Sequence, residues 1–445
     1  MSAFTDLLKR LDLGDALLRR NPLFYGAARA RLRTMQAQSL QQRREWANER
    51  LKKVLQVASR SPYGRRVGGA GHLGSWPLLE KSAVRADPDA FRAGAGLSAR
   101  ASTGGTTGMP LRLARSPQSV AFEQATIDFL LEELGVEARR ARIAVLRADS
   151  VKDPADRTPP FWIFTHGGRR MVLSPHHLCA DTVADYVRAL QLFRPDVLWV
   201  YPTALESLSR LVLGAGLRLA VPRVHASSEV FAPHAWRLAR LALGAPAIAE
   251  NYGQAERVAW SNAFEQGVHR FLPGYSFVEL VPFAAEGENA LYEIVGTSLW
   301  NLAMPLVRYR TGDLVRLPAA WGERELEEVA FGARAFPGVL GRSGEFLLTP
   351  EGGRITGINH FPREVDHVHR IQVIQEGLDE VRLLVLAAAG YSVRDEQRLL
   401  RNVRAKLPAS MRVTVEVSER LEQTAGGKTP FVIHRPAVRK LAEAA

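Results

Sequence analysis

Cysteine is almost absent: Cys179 is the only one in 445 residues. A lone thiol closes no internal disulfide and builds no cysteine-rich metal site, which fits the cytoplasm. His176-His177 beside Cys179 stands too isolated for a zinc site. Long apolar runs are missing too. No stretch approaches the roughly 18–20 uncharged apolar residues of a membrane-spanning helix, so no membrane span is expected. The opening MSAFTDLLKRLDLGDALLRR carries charges at helical spacing instead of a continuous apolar core, which argues against a secretory leader. No Gly-Lys-Ser/Thr phosphate loop, internal repeat or low-complexity tract occurs.

What is present reads as ordinary globular protein, with 46% hydrophobic and 24% charged residues. A chain of 445 residues exceeds one core and implies two or three domains. Lys and Arg (59) outnumber Asp and Glu (46), for a formal charge of +13. The arginine pairs are spread along the chain (Arg19-Arg20, Arg43-Arg44, Arg65-Arg66, Arg139-Arg140, Arg169-Arg170). A dedicated nucleic-acid module concentrates such charge on one face, so no specific nucleic acid is expected. The excess reads as solvated basic surface that attracts small anions.

Residues 1–60 read as a helical N-terminal segment. From Gln38 to Ala58, Leu40, Trp46, Leu51, Val54 and Leu55 suit one helix face, and Ser61-Pro62-Tyr63-Gly64 reads as the turn that stops it. Beyond residue 100, apolar runs at 141–148, 196–202, 223–230 and 247–253 alternate with helical stretches Ser119–Leu134, Ala180–Leu192 and Pro233–Leu243. That alternation predicts βα units and a largely parallel sheet. Runs at 276–283 and 290–298, around Gly287, predict an antiparallel pair. The tail predicts strand, strand, helix and strand, a small α+β domain, with Gly341-Arg342-Ser343-Gly344 as the boundary. The expected domains are 1–341 and 342–445.

The chemistry-bearing segments begin with Ser102-Thr103-Gly104-Gly105-Thr106-Thr107-Gly108-Met109-Pro110. Its glycines leave backbone N–H groups unobstructed, and its hydroxyls flank them, as wrapping phosphate oxygens requires; a plain Ser/Gly turn has the same composition. Glu250-Asn251-Tyr252-Gly253-Gln254-Ala255-Glu256 closes a predicted strand, where open parallel sheets hold ligands. Tyr252 offers a ring to a purine, and Glu256 an oxygen to Mg²⁺. Pro305-Leu306-Val307-Arg308-Tyr309-Arg310-Thr311-Gly312-Asp313 ends in a carboxylate able to accept two ribose hydroxyls. Gln423-Thr424-Ala425-Gly426-Gly427-Lys428 puts a lysine on a glycine-rich turn. Taken singly, each also reads as a Tyr-Gly turn, an arginine-rich strand or an exposed loop lysine.

In this order, TGGTTGMP, ENYGQAE, YRTGDL, GR and TAGGK resemble the motifs of the adenylate-forming (acyl-CoA synthetase) superfamily, over about residues 60–435. The segment Trp76-Pro77-Leu78-Leu79-Glu80-Lys81 and the strand end Ser227-Ser228-Glu229 are similar to its phenylacetate–CoA ligase-like branch, which includes CapK-like proteins of capsular polysaccharide synthesis. The resemblance implies an α/β fold: a large N-terminal adenylating domain with parallel-sheet layers, and a small α+β C-terminal lid. It implies ATP binding by Thr103, Gly104, Gly105, Thr106, Thr107, Gly108, Tyr252, Gly253, Asp313 and Arg342, Mg²⁺ at Glu256, and catalysis by Lys428. Ser228, Glu229 and Tyr201 are candidates for the adenine or acyl pocket.

The activity implied is ATP-dependent conversion of an aromatic or other compact carboxylic acid to its acyl-AMP, then transfer to coenzyme A. The sequence departs from the family pattern in three places. Pro110 is followed by Leu111-Arg112 where a lysine is common, Gly344 occupies the acidic hinge position, and Gln423 replaces an arginine. The hinge change bears on thioester formation more than on adenylation. Two alternatives stay open: transfer to an amine, hydroxyl or carrier thiol, and a non-catalytic nucleotide- or nucleic-acid-binding protein. The sequence leaves the acid, the acceptor and the oligomeric state undetermined.

Overall fold

Short β-rich apolar runs bounded by helices fold as buried parallel strands because both of their faces find cover. The computed structural model describes residues 15–444 except 69–70, 95, 103–110, 148–150, 153–155, 232, 343–346, 351–353, 356–357, 359–360, 363–364, 405–406 and 424–428. Two compact units include Met1–Thr103 with Leu111–Val339, and Leu340–Ala445.

In the first unit, strands Arg170–Leu173, Ile143–Leu146, Val197–Val200, Arg223–Ser227 and Ala247–Gly253 lie side by side and parallel. Antiparallel strands complete an eight-stranded sheet: Trp162–Thr165 at one edge, then Trp260–Ala263 and His269–Phe271 at the other. One face carries Ala144, Leu146, Leu198, Val200, Val224 and Ala226 into a core with Tyr186, Leu208 and Trp236. Those last three come from the crossover helices Val183–Phe193, Pro202–Gly214 and Pro233–Ala242. The other face packs Val145, Val197 and Ala249 with Phe122 and Phe129 of the helix Pro117–Glu133.

A second, four-stranded sheet begins with the expected antiparallel pair, Ser276–Glu286 and Asn289–Ser298, turned at Gly287 with φ +62°. Tyr309–Pro318 pairs antiparallel with the latter, and Val339–Arg342 follows it in sheet order. Gly296 is required by close approach: a Cβ there would stand 2.0 Å from the Val258 carbonyl oxygen.

Two expectations for the N-terminal segment are corrected. Arg43, read with Arg44 as solvated basic surface, is 9% exposed. Its guanidinium donates to the carbonyls of Met35 (3.1 Å), Gln36 (2.9 Å) and Phe331 (3.3 Å), so the helix Leu40–Ala58 buries a cation against backbone acceptors. Second, Ser61 does not open a simple turn. It caps a further helix, Pro62–Arg66: its Oγ accepts from Gly64 N at 2.9 Å, and Pro62 sits in the first turn, where its missing N–H costs nothing.

In the second unit, Val368–Gly377 and Glu380–Ala387 form a hairpin, and Arg412–Val417 pairs parallel with the second strand. Helix Val393–Arg404 covers this sheet with Leu399 and Val403 against Val373, Leu383 and Val385. The strand Val432–His434 adds a parallel fourth rung beside Val368–Gly377. The fold class is therefore α/β with a small α+β C-terminal part.

Candidate active site

Strand Ala247–Gly253 delivers Tyr252 and Gly253 to the carboxyl end of the parallel sheet. A Cβ on Gly253 would meet the Trp260 ring at 3.0 Å, so this position is fitted to a small residue. The Tyr252 hydroxyl donates to Asp313 Oδ2 at 2.7 Å, across 61 residues of sequence, and accepts from Gln254 Nε2 at 3.0 Å. Its ring edge is thereby fixed, and the Asp313 carboxylate, 8% exposed, is held beside it.

Glu256 stands three residues beyond Gly253 and is 6% exposed. Its Oε1 accepts from the Tyr309 hydroxyl at 2.8 Å and from Lys81 Nζ at 3.1 Å. Burial alone would raise the Glu256 carboxyl; the Lys81 ammonium and the Tyr309 hydroxyl outweigh it and hold the group below the ordinary carboxylate range. The ENYGQAE and YRTGD turns thus meet at two points. Sequence reasoning missed Lys81 and Tyr309. Leu79 is what brings them together: its N–H donates to Arg308 O at 2.8 Å and its carbonyl accepts from Arg310 N at 3.0 Å. The Trp76–Lys81 segment therefore lies as an extra rung along the strand Tyr309–Pro318. The local signal was the two leucines before Lys81, apolar anchors that fix where an adjacent charge emerges.

The irregular stretch of strand Tyr309–Pro318 that bears Asp313 is braced by its neighbour. Buried Glu293 accepts from Arg310 Nε at 2.8 Å and from Gly312 N at 3.1 Å. Gly312 adopts φ +72°, which glycine reaches without steric cost. Thr311 Oγ1 donates to Ile294 O and accepts from Asp313 N, at 2.7 and 3.0 Å.

The neighbouring strand ends hold a second group. Trp199 stacks on His225 with ring centroids 5.1 Å apart and donates from Nε1 to Ser227 Oγ at 3.1 Å. The Arg147 guanidinium lies 4.5 Å from the Trp199 ring and 5.9 Å from that of Tyr201. Fully buried His225 bonds through Nε2 to Asn251 Oδ1 at 2.6 Å. Burial, aided by the Arg147 charge, lowers the imidazole pKa to about 4 despite that bond, so it is neutral and Nε2 is the donor. Of the pocket candidates, Tyr201 joins this aromatic group. Glu229 instead accepts from Thr203 N (3.0 Å) and Oγ1 (2.7 Å), at the N-terminus of helix Pro202–Gly214, where a carboxylate complements unpaired N–H groups. Ser228 is exposed at φ +73°.

Thr103, Gly104, Gly105, Thr106, Thr107, Gly108 and Lys428 lie outside the described residues. Of Arg342, the backbone is described, at the end of strand Val339–Arg342.

Residues 347–435 match the family described as the CapK C-terminal domain. Protein CapK of Staphylococcus aureus is 21% identical over 350 residues, 75% of this chain and 73% of that protein. The chain is thus similar to CapK over three quarters of its length. Phenylacetate-coenzyme A ligase of Aromatoleum evansii is 36% identical over 90 residues, 20% of this chain and 16% of that one. Among solved structures, 2-hydroxyisobutyryl-CoA ligase in the postadenylation state in complex with R3-HIB-AMP superposes with a TM-score of 0.59 at 15% identity, over 90% of this chain and 92% of its own. The same ligase with 2-HIB-AMP gives 0.59 at 16%. In this chain the fold forms two hydrogen-bonded groups, Tyr252 with Asp313 and Gln254, and Glu256 with Lys81 and Tyr309.

Proposed function

We propose that this protein uses ATP to activate a carboxylic acid as its acyl-AMP and passes the acyl group to coenzyme A. The observation that carries this reading is the Tyr252–Asp313 hydrogen bond of 2.7 Å beside the Lys81–Glu256–Tyr309 cluster. It joins a ring, a sugar-binding carboxylate and an anionic oxygen donor at the strand ends where parallel sheets hold ligands.

In this reading the Tyr252 ring stacks on adenine while its hydroxyl keeps Asp313 oriented. Asp313 accepts from the ribose hydroxyls. Glu256, kept ionised by Lys81 and Tyr309, is a hard carboxylate of the kind that takes Mg²⁺ together with waters and nucleotide phosphates, so the residues fit that ion. Bound there, Mg²⁺ would offset phosphate charge. Thr103–Gly108 supplies N–H and hydroxyl donors to the phosphates, and Arg342 a contact to the nucleotide. The acid carboxylate attacks the α-phosphorus, pyrophosphate leaves, and Lys428 stabilises the charge gathering on the phosphoryl oxygens. Residues 342–445 serve as the lid carrying that lysine, pivoting at Gly341–Gly344. The acid lies along the wall of Trp199, Tyr201 and Arg147, with Ser228 and Glu229 at its margin; its flat aromatic surfaces suit a compact planar acid.

Asp313→Asn should raise the KM for ATP by roughly 10- to 100-fold with a smaller change in kcat, because each ribose hydroxyl loses a charged acceptor. Initial rates over a range of ATP concentrations test this. An unchanged KM would remove Asp313 from the nucleotide site. The reading as a whole is tested by acid-dependent ATP–pyrophosphate exchange over a panel of carboxylic acids, followed by thioester analysis with coenzyme A. Exchange without thioester would retain the adenylation step and reassign the acceptor. No exchange with any acid would defeat the proposal.

A further inference from the structure

The opposite edge of the same sheet carries a surface that nucleotide chemistry does not use. Each crossover helix runs antiparallel to the strands it connects, so helices Val183–Phe193, Pro202–Gly214 and Pro233–Ala242 end together at the amino ends of the strands. Each places a leucine at its penultimate position. Leu192 is 78% exposed, Leu213 37% and Leu241 72%. One turn earlier stand Arg188, Arg210 and Arg237, and just past the first two helix ends stand Arg194 and Arg218. Arg210 is paired with Glu206 at 2.7 Å, whereas Arg188, Arg194, Arg218 and Arg237 are exposed and enter no ion pair among the described residues.

Between these helix ends lies a groove of about 680 Å³, walled by Leu190, Leu213, Leu217 and Leu241, with Arg194 and Arg218 on its lining. Arginines at helix C-termini complement the helix dipole, and that alone would explain the basic residues. It does not explain three exposed leucines at matched positions, which cost solvation unless something covers them.

We propose that this rim docks on an anionic phospholipid surface. The leucines form the tip, Arg194 and Arg218 flank them past the helix ends to meet headgroup phosphates, Arg188 and Arg237 stand one helical turn behind, and the groove repeats the same pairing of apolar wall and cation. Apolar contact plus attraction to anionic lipid is how an interfacial protein binds without spanning the bilayer. A second copy of the chain fits poorly, because two such rims would bring arginine against arginine. Docking by this rim leaves the carboxyl ends of the strands, with Tyr252 and Asp313, directed away from the lipid.

The test is sedimentation of the full chain with vesicles of phosphatidylcholine alone or mixed with phosphatidylglycerol. Binding is expected only to the phosphatidylglycerol vesicles, weakening as salt is raised. The double change Leu192→Ser and Leu241→Ser should lower the partition coefficient by about tenfold or more without altering charge. Arg194→Gln with Arg218→Gln should lower it roughly 30-fold. Thermal denaturation controls for folding, since all four side chains are solvent-facing. No binding to phosphatidylglycerol vesicles overturns the proposal. So does binding that ignores the leucine changes, because that would be general attraction of a +13 chain. Tight binding of an acidic leucine-bearing peptide, with none to vesicles, would also overturn it and assign the rim to a protein partner.

Discussion

Lys428→Ala is expected to lower acid-dependent ATP–pyrophosphate exchange by about 100- to 1,000-fold, the usual loss when a preorganised charge donor is removed from a reacting phosphoryl or acyl group. The expectation rests on the proposed adenylation step. A carboxylate approaching an α-phosphate meets like charge, and one positioned ammonium answers both reactants. ATP affinity should change far less, because the proposed nucleotide contacts of Asp313, Tyr252 and Glu256 do not involve that lysine. Exchange rates and equilibrium ATP binding, measured on the same preparations, separate the two effects. Equal exchange by wild type and variant would take Lys428 out of the mechanism even if the nucleotide still bound.

The second large effect concerns acid stability and needs no substrate. His225 is fully buried, and its pKa is lowered from 6.5 to about 4. The folded protein therefore refuses a proton that the unfolded chain accepts near 6.5. The resulting stability is complete above that value and drains away as pH falls toward 4. At about 1.4 kcal/mol per unit, the displacement amounts to about 3 kcal/mol. Chemical denaturation between pH 7 and 5 should show about 2 kcal/mol of this loss. His225→Phe keeps a ring against Trp199 and should flatten the slope, although it lowers stability throughout by leaving Asn251 Oδ1 without its donor. The range above pH 5 avoids overlap with Glu256, whose carboxyl lies below the ordinary range and whose contribution is lost only in stronger acid. A slope unchanged by His225→Phe would mean that another group takes up the proton.

How far the sequence foretold this molecule varied with how local the determinant was. Ile143–Leu146 and Val197–Val200 were legible because doubly covered strands are continuously apolar, and Arg223–Ser227 and Ala247–Gly253 through their place in the alternation with helices. The edge strands were not. Trp162–Thr165 spans only four residues, and its apolar Trp-Ile-Phe run gives no sign that Ile163 and Phe164 stay 44% and 55% exposed at a sheet edge. Trp260–Ala263 and His269–Phe271 are hidden in a polar stretch, and pairing with strand Ala247–Gly253 is what makes the first of them a strand.

The site divides the same way. ENYGQAE and YRTGD could be picked out by residue type. Their partner Lys81 lies 175 residues before Glu256, and its meaning comes from a backbone pairing at Leu79 whose partner strand the local leucines do not name. Glu229 was legible as a carboxylate near a strand end, but its bond to the start of the helix at Pro202, which has no side-chain cap of its own, was not. Arg43 illustrates a third limit, since burial of an arginine depends on carbonyls from three separate backbone positions.

The rung formed by Leu79 bears on how small a working version of this protein can be made. It fastens a stretch of the early chain to the strand that carries Asp313, and it brings an ammonium to Glu256. Trimming from the front past residue 81 would therefore strip out a bonded neighbour and a counter-charge in one cut. What looks like an N-terminal preamble belongs to the proposed nucleotide site, and a shortened version has to start upstream of it.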